Sequence, residues 1–213
     1  MTPAQIEQLF TRSDGAFLCA RWGRPVVPVV FGVADETLGI LKGAVEAVVA
    51  LAGHGMAETD PELGANYLVF FCRDWEELLA VPDLDRLVEG LGPLVARLNE
   101  AGANQYRVFR FDAGGAIRAC FAFVRMDREM EQVPAEVLAL NQAVQMILLW
   151  SDRAFAEVGP LARAPGGEGE LGRVILRPDI AEVIRAAYDP VLPAASQDAS
   201  HALRLAARAG RLA

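Results

Sequence analysis

Two histidines, three cysteines and no run of lysine or arginine occur in 213 residues, and each scarcity removes a class of function. Cys19, Cys72 and Cys120 are far apart, odd in number and outside C-x-x-C spacing, which argues against a disulfide framework and a thiolate zinc site. They read as small buried hydrophobes. Neither His54 nor His201 has a histidine, cysteine or carboxylate at i+4 on a predicted helix, so metal ligation by a helical pair is not expected. His54, between two glycines at a helix end, reads as a capping group, and His201 as a solvated helix position.

Gly-x-Ser-x-Gly is absent, and Ser13, Ser151, Ser196 and Ser200 lie where helix caps and turns are expected, so a hydrolase triad is disfavoured. No phosphate loop or dinucleotide fingerprint is present: Gly114-Gly115 lies in a turn, and the cluster from Gly166 to Gly172 lacks a following Lys-Ser or Lys-Thr. No cofactor is implied. The longest strong apolar run, Val144 to Trp150, is far below the roughly 18–20 residues that a membrane helix needs. The opening Met1-Thr2-Pro3-Ala4-Gln5 carries no charged start or apolar stretch of an export signal, which predicts a cytoplasmic protein. A net charge of −8 without a basic patch disfavours nucleic acid and anionic lipid as partners.

What is present is a hydrophobic fraction of 53% against 23% charged, enough to fold throughout as a single α+β domain over residues 1–213. Thr2-Pro3 begins a short helix. Ala16–Trp22 and Val26–Phe31 are extended, with Pro28 confining the second run to a sheet edge. Asp35 is placed to cap a long helix ending at Gly53, and Tyr67–Phe71 is a buried strand. Asp74 and Glu77 form a capping-box pattern, Asp83 is a candidate cap, and Gly90, Gly92 and Pro93 split the helical region that follows.

The clearest unit is a central β-hairpin over about residues 105–124, turning at Asp112-Ala113-Gly114-Gly115. Its second arm alternates Ile117, Ala119, Phe121 and Phe123 with Arg118, Cys120 and Ala122, which predicts a mixed or antiparallel sheet covered on one face and half-covered on the other. A helix over about 134–150 has apolar residues on more than one face and is expected to pack, buried, across that sheet. Pro165–Glu170 reads as a flexible loop, and Ser196 as the cap of a last helix reaching Arg208.

The residues offered for binding are Arg107, Arg110 and Arg118 on the hairpin, with His54 and Glu58. Arg107 and Arg118 on neighbouring strands suit bidentate capture of a carboxylate; the competing reading is a surface row paired with Asp112, Asp127 or Glu129. Glu58, Asp60 and Glu62 lack the spacing of a calcium loop and read as a solvated segment.

Arg21-Trp22-Gly23-Arg24-Pro25, Gly64-Ala65-Asn66, Gln142-Ala143, Ser151-Asp152 and Tyr188-Asp189-Pro190, in that order, resemble a proteobacterial family of unknown function, usually exported and similar in fold to zincin metallopeptidases. The family pattern has a His-Glu pair shortly before the Gln-Ala of the helix. Here that stretch is Val137-Leu138-Ala139-Leu140-Asn141, so the resemblance implies a non-catalytic relative without the metal ligands. Three functions stand open: a protein-binding or self-associating module, a small-carboxylate binder on the arginine face, and a degenerate metallopeptidase relative.

Overall fold

The computed structural model describes residues 1–165 and 172–210; the expected loop over Pro165–Glu170 lies almost wholly outside them. Helix α1 (Pro3–Phe10) starts with a reciprocal box, Thr2 and Gln5 each bonding the other's backbone N–H, and buries Ile6, Leu9 and Phe10. Strands β1 (Cys19–Ala20) and β2 (Pro28–Phe31) follow. Gly32 then turns the chain with φ +81°, and a Cβ there would collide with the Phe71 carbonyl oxygen, so only glycine fits. Helix α2 (Asp35–Leu51) is capped at Ala34, which corrects the assignment of Asp35 as the cap. Asp35 instead sits in the first turn, where its charge favours the helix dipole.

After β3 (Tyr67–Cys72) the capping box of Asp74 and Glu77 opens a 3-10 helix over Trp75–Ala80. Asp83, in the left-handed region at φ 58°, makes no capping bond to α3 (Leu84–Leu87) and pairs with Arg86 instead. Helix α4 (Leu91–Glu100) restarts after Gly90, which makes the break; Gly92 and Pro93, expected to share in it, lie inside the first turn of α4. The hairpin is β4 (Gln105–Phe111) and β5 (Ile117–Arg125), followed by α5 (Ala135–Ile147). The remaining elements are β6 (Leu161–Arg163), β7 (Val174–Leu176), α6 (Pro178–Ala187), β8 (Ala195–Ser196) and α7 (His201–Ala209). Ser196 therefore belongs to a strand paired with β1, and the last helix starts four residues later than expected.

The fold is α+β, with a four-stranded mixed sheet in the order β2-β3-β5-β4. Strands β2, β3 and β5 run parallel, and β4 is antiparallel at one edge. Pro28 is indeed in the other edge strand. Tyr67, Val69, Cys120, Ala122 and Val124 face a core shared with α1, α2, α5, α6 and α7. Phe70, Cys72, Ala119, Phe121 and Phe123 face a second core with Trp75, Leu84, Leu91 and Leu98. Both faces are covered, against the expectation of a half-covered sheet. The reason is the parallel β2/β3/β5 set, whose crossovers put helices on the sheet and make β5 a nearly continuous buried run.

Helix α5 stops at Ile147 because Leu148 adopts φ −135°, ψ 157° and bridges to Arg21. Carbonyls at its end, which have no partners within the helix, accept from the indoles of Trp150 (to Val144, 2.8 Å) and Trp22 (to Met146, 2.8 Å) and from the Tyr188 hydroxyl (to Ile147, 2.9 Å).

The loop before β3 is anchored rather than solvated. Asn66 Oδ1 accepts from Val27 N–H at 2.8 Å, while its amide donates to the Pro25 carbonyl at 2.9 Å and to Asp60 at 3.0 Å. Asp60, only 4% exposed, also accepts from the N–H groups of Glu62 and Leu63, both at 2.9 Å, and pairs with Arg24 at 3.3 Å. Burial alone would raise this carboxyl, but those donors outweigh it and hold it at about 2. Since an unfolded aspartate titrates near about 3.9, the folded state binds protons less readily, so the contribution is full above pH 4 and drains as pH falls toward 2. Urea unfolding across that window is expected to show wild-type stability falling with pH. In Asp60→Asn the slope should flatten, with stability lower by about 1–3 kcal/mol above pH 4; an unchanged slope would contradict the assignment.

Candidate functional site

Arg107 lies on β4 opposite Ala122 and therefore on the same sheet face as Tyr67 and Cys120, beneath α5. Its guanidinium donates to the side-chain oxygens of Gln145 at 2.8 Å, Gln105 at 3.2 Å and Gln142. Gln142 in turn donates to Gln105 at 2.7 Å, and Gln145 to Asn141 at 2.9 Å. A helix places residues three and four apart on one side, which is how Asn141, Gln142 and Gln145 come to face the strand together. Every acceptor around the cation is a neutral amide. Among the described residues Arg107 has no carboxylate partner, although the chain carries 28 acidic residues.

Shielding from water lowers the pKa of Arg107, in part offset by nearby Tyr67 and Cys120. Beneath α5 the Arg107 Nε and the Tyr67 hydroxyl, whose residue is 1% exposed, lack a hydrogen-bond partner among the described residues, as does Arg118 Nε farther along the same face. Burial pushes the Tyr67 phenol well above its ordinary range. Gln105, Asn141 and Gln145 also form the polar end of a cavity of about 380 Å³ whose other walls are apolar, including Met130, Val133, Leu138, Phe155 and Leu161.

The other expected residues lie elsewhere. Arg118 shares a sheet face with Arg107 but sits four residues along β5 from Arg107's pairing partner, about 13 Å away. It is neutralised by Glu62 at 2.9 Å, and Glu62 also holds Arg24 at 3.0 Å. Arg110 points to the opposite face and donates to the Leu87 carbonyl at 3.1 Å. His54 Nε2 contacts the Arg24 carbonyl at 2.8 Å, and its ring lies 5.2 Å from that of Tyr188, so it fastens the helix exit to the chain before β2 instead of capping α2. Burial lowers its pKa. Glu58 is exposed. The five residues thus do not form one site, and the competing surface row is met only in part, by Arg125 with Asp127 at 3.6 Å.

His201, expected in solvent, is 3% exposed with Nδ1 unpartnered, and burial followed by Arg204 and Arg208 lowers its pKa. A second cavity of about 530 Å³ is lined by Gly53, Arg185, Tyr188 and Arg208, but there Arg208 is neutralised by Asp189 at 2.6 Å. Among the described residues no three His, Cys, Asp or Glu side chains are grouped to hold a metal ion, and no helix is long and apolar enough to cross a membrane.

Burial pushes the Cys19 and Cys120 thiols up to about 12 and Cys72 to about 11. Since the thiolate is the reactive form, a disulfide reagent at pH 8 is expected to label none of the three in the folded protein and all three in denaturant. Rapid labelling of the native state would place a thiol at the surface. In comparisons with known proteins, the chain matches no family model, no curated protein and no solved structure.

Proposed function

We propose that the chain is a binding protein for a small carboxylate with an apolar tail, seated between α5 and the start of β4. One observation supports this reading: a shielded arginine whose acceptors among the described residues are all neutral amide oxygens. A partly buried cation without a counter-charge is unfavourable, and a planar guanidinium is matched by a carboxylate through two parallel bonds. The adjoining cavity has the size range of small-ligand sites and the required division into a polar end and apolar walls. Gln105 and Gln145 reach both Arg107 and the cavity, so a head group entering there replaces their oxygens as acceptors. Selectivity for an apolar tail follows from Val133, Leu138, Phe155 and Leu161, where a second charge would be left unpaired.

Thermal unfolding tests the reading with straight-chain carboxylates of four to eight carbons, phenylacetate, and the matching neutral amides. At about ten times its Kd a ligand adds about 1.4 kcal/mol, or about 3–6 °C for a chain of this size. Carboxylates are expected to raise Tm while the amides do not. Arg107→Met should abolish the shift and Arg118→Gln keep it. A flat response across the series, or a response retained by Arg107→Met, would remove the proposal.

A further inference from the structure

We infer that the outer edge of β4, with the groove between β4 and α4, is a docking site for an extended acidic segment of another protein. The phase of the ladder defines what the edge offers. Arg125 N–H bonds the Asn104 carbonyl while Gln105 pairs with Val124, so the backbone groups of Tyr106, Val108 and Arg110 face β5. Those of Gln105, Arg107 and Phe109 face outward, and no backbone hydrogen bond among the described residues engages them. An open edge of this length is a template for strand addition.

Below the edge, on the face opposite the Arg107 site, lies a groove of about 400 Å³ with Leu94 and Val108 along it and Arg97 and Arg110 lining it. Arg97 donates to the Tyr106 hydroxyl at 3.3 Å and Arg110 to the Leu87 carbonyl at 3.1 Å; both are exposed, and neither has an ion pair among the described residues. Glu89 also lines the groove without pairing to either. Two uncompensated cations flanking an open strand on a chain of net charge −8 set the sign of the partner.

A second copy of this chain fits less well. Twofold antiparallel pairing about Val108 sets Tyr106, with its attached Arg97, against Arg110 of the other copy and opposes like charges. An acidic strand meets both arginines. Tyr106 and Arg110 are four residues apart, about 13 Å in a strand. The matching partner therefore carries carboxylates at i and i+4 and an apolar residue at i+2 over Val108.

Fluorescence anisotropy with a labelled heptapeptide, glutamate at its second and sixth positions and valine at its fourth, tests this. Saturable binding is expected, weakening about tenfold or more between about 0.05 and 0.5 M salt. Arg97→Gln and Arg110→Gln, both surface changes whose folding circular dichroism will verify, should each weaken it several-fold, and the lysine counterpart of the peptide should not bind. Equal binding of the lysine peptide, indifference to both substitutions, absence of binding at millimolar peptide, or a dimer in light scattering that excludes the peptide would each overturn the inference.

Discussion

The hydrogen bonds of Asn66 tie three strands of the sheet together at one point. Its side chain bonds Val27, Pro25 and Asp60, and its backbone carbonyl accepts from Cys120 N–H, so the entries to β2 and β3 and the middle of β5 meet at one fully buried residue. The parallel strands take their register from that point: Pro28 beside Tyr67, and Tyr67 beside Cys120. An amide suits the position because it donates and accepts at once, which neither a carboxylate nor an apolar residue of the same shape does. Asp60 brings a negative charge to this point, and its acceptor sites are filled by backbone and Asn66 donors together with the Arg24 cation, so the carboxylate is stable in a site that would otherwise expel it.

The same neutral chemistry appears around Arg107 with the opposite outcome. At Asp60 a buried charge is met by donors and an opposite charge, whereas at Arg107 a shielded charge is met, among the described residues, by amide dipoles. The two sites differ in what their surroundings still accept. Asp60 is complete as it stands, while Arg107 borders a cavity through residues that bind it only as amides.

Local pattern made the hairpin, the long helices and the edge position of Pro28 legible, because turn glycines, period-3.6 stripes and the missing proline donor act over a few residues. Three features were not readable that way. The pairing of β1 with β8 and of β6 with β7 involves strands of two or three residues, too short for any periodicity, and the first of these joins segments distant in sequence. The burial of Asp60 and His201 reverses what polar residues in a loop and at a helix start imply, since each is covered by elements from elsewhere in the chain. The site was only half legible. Arg107 stood out by its charge, but Gln105, Gln142 and Gln145 did not, because a glutamine in a helix or strand carries no pattern until the facing element is known. The available signal was three amides on one side of a helix otherwise rich in apolar residues.

The capping of α5 by aromatic side chains has an optical consequence. Of three tryptophans, Trp22 and Trp150 are both bonded to carbonyls within the last turn of this helix, while Trp75 sits in the other core, bonded to the Ala103 carbonyl at 2.9 Å and 5.9 Å from the Arg125 guanidinium. Indole emission depends on polarity and on the field at the ring, so the two layers on either side of the sheet carry separate chromophores. Unravelling the end of α5 changes two of them together and leaves the third as an internal reference.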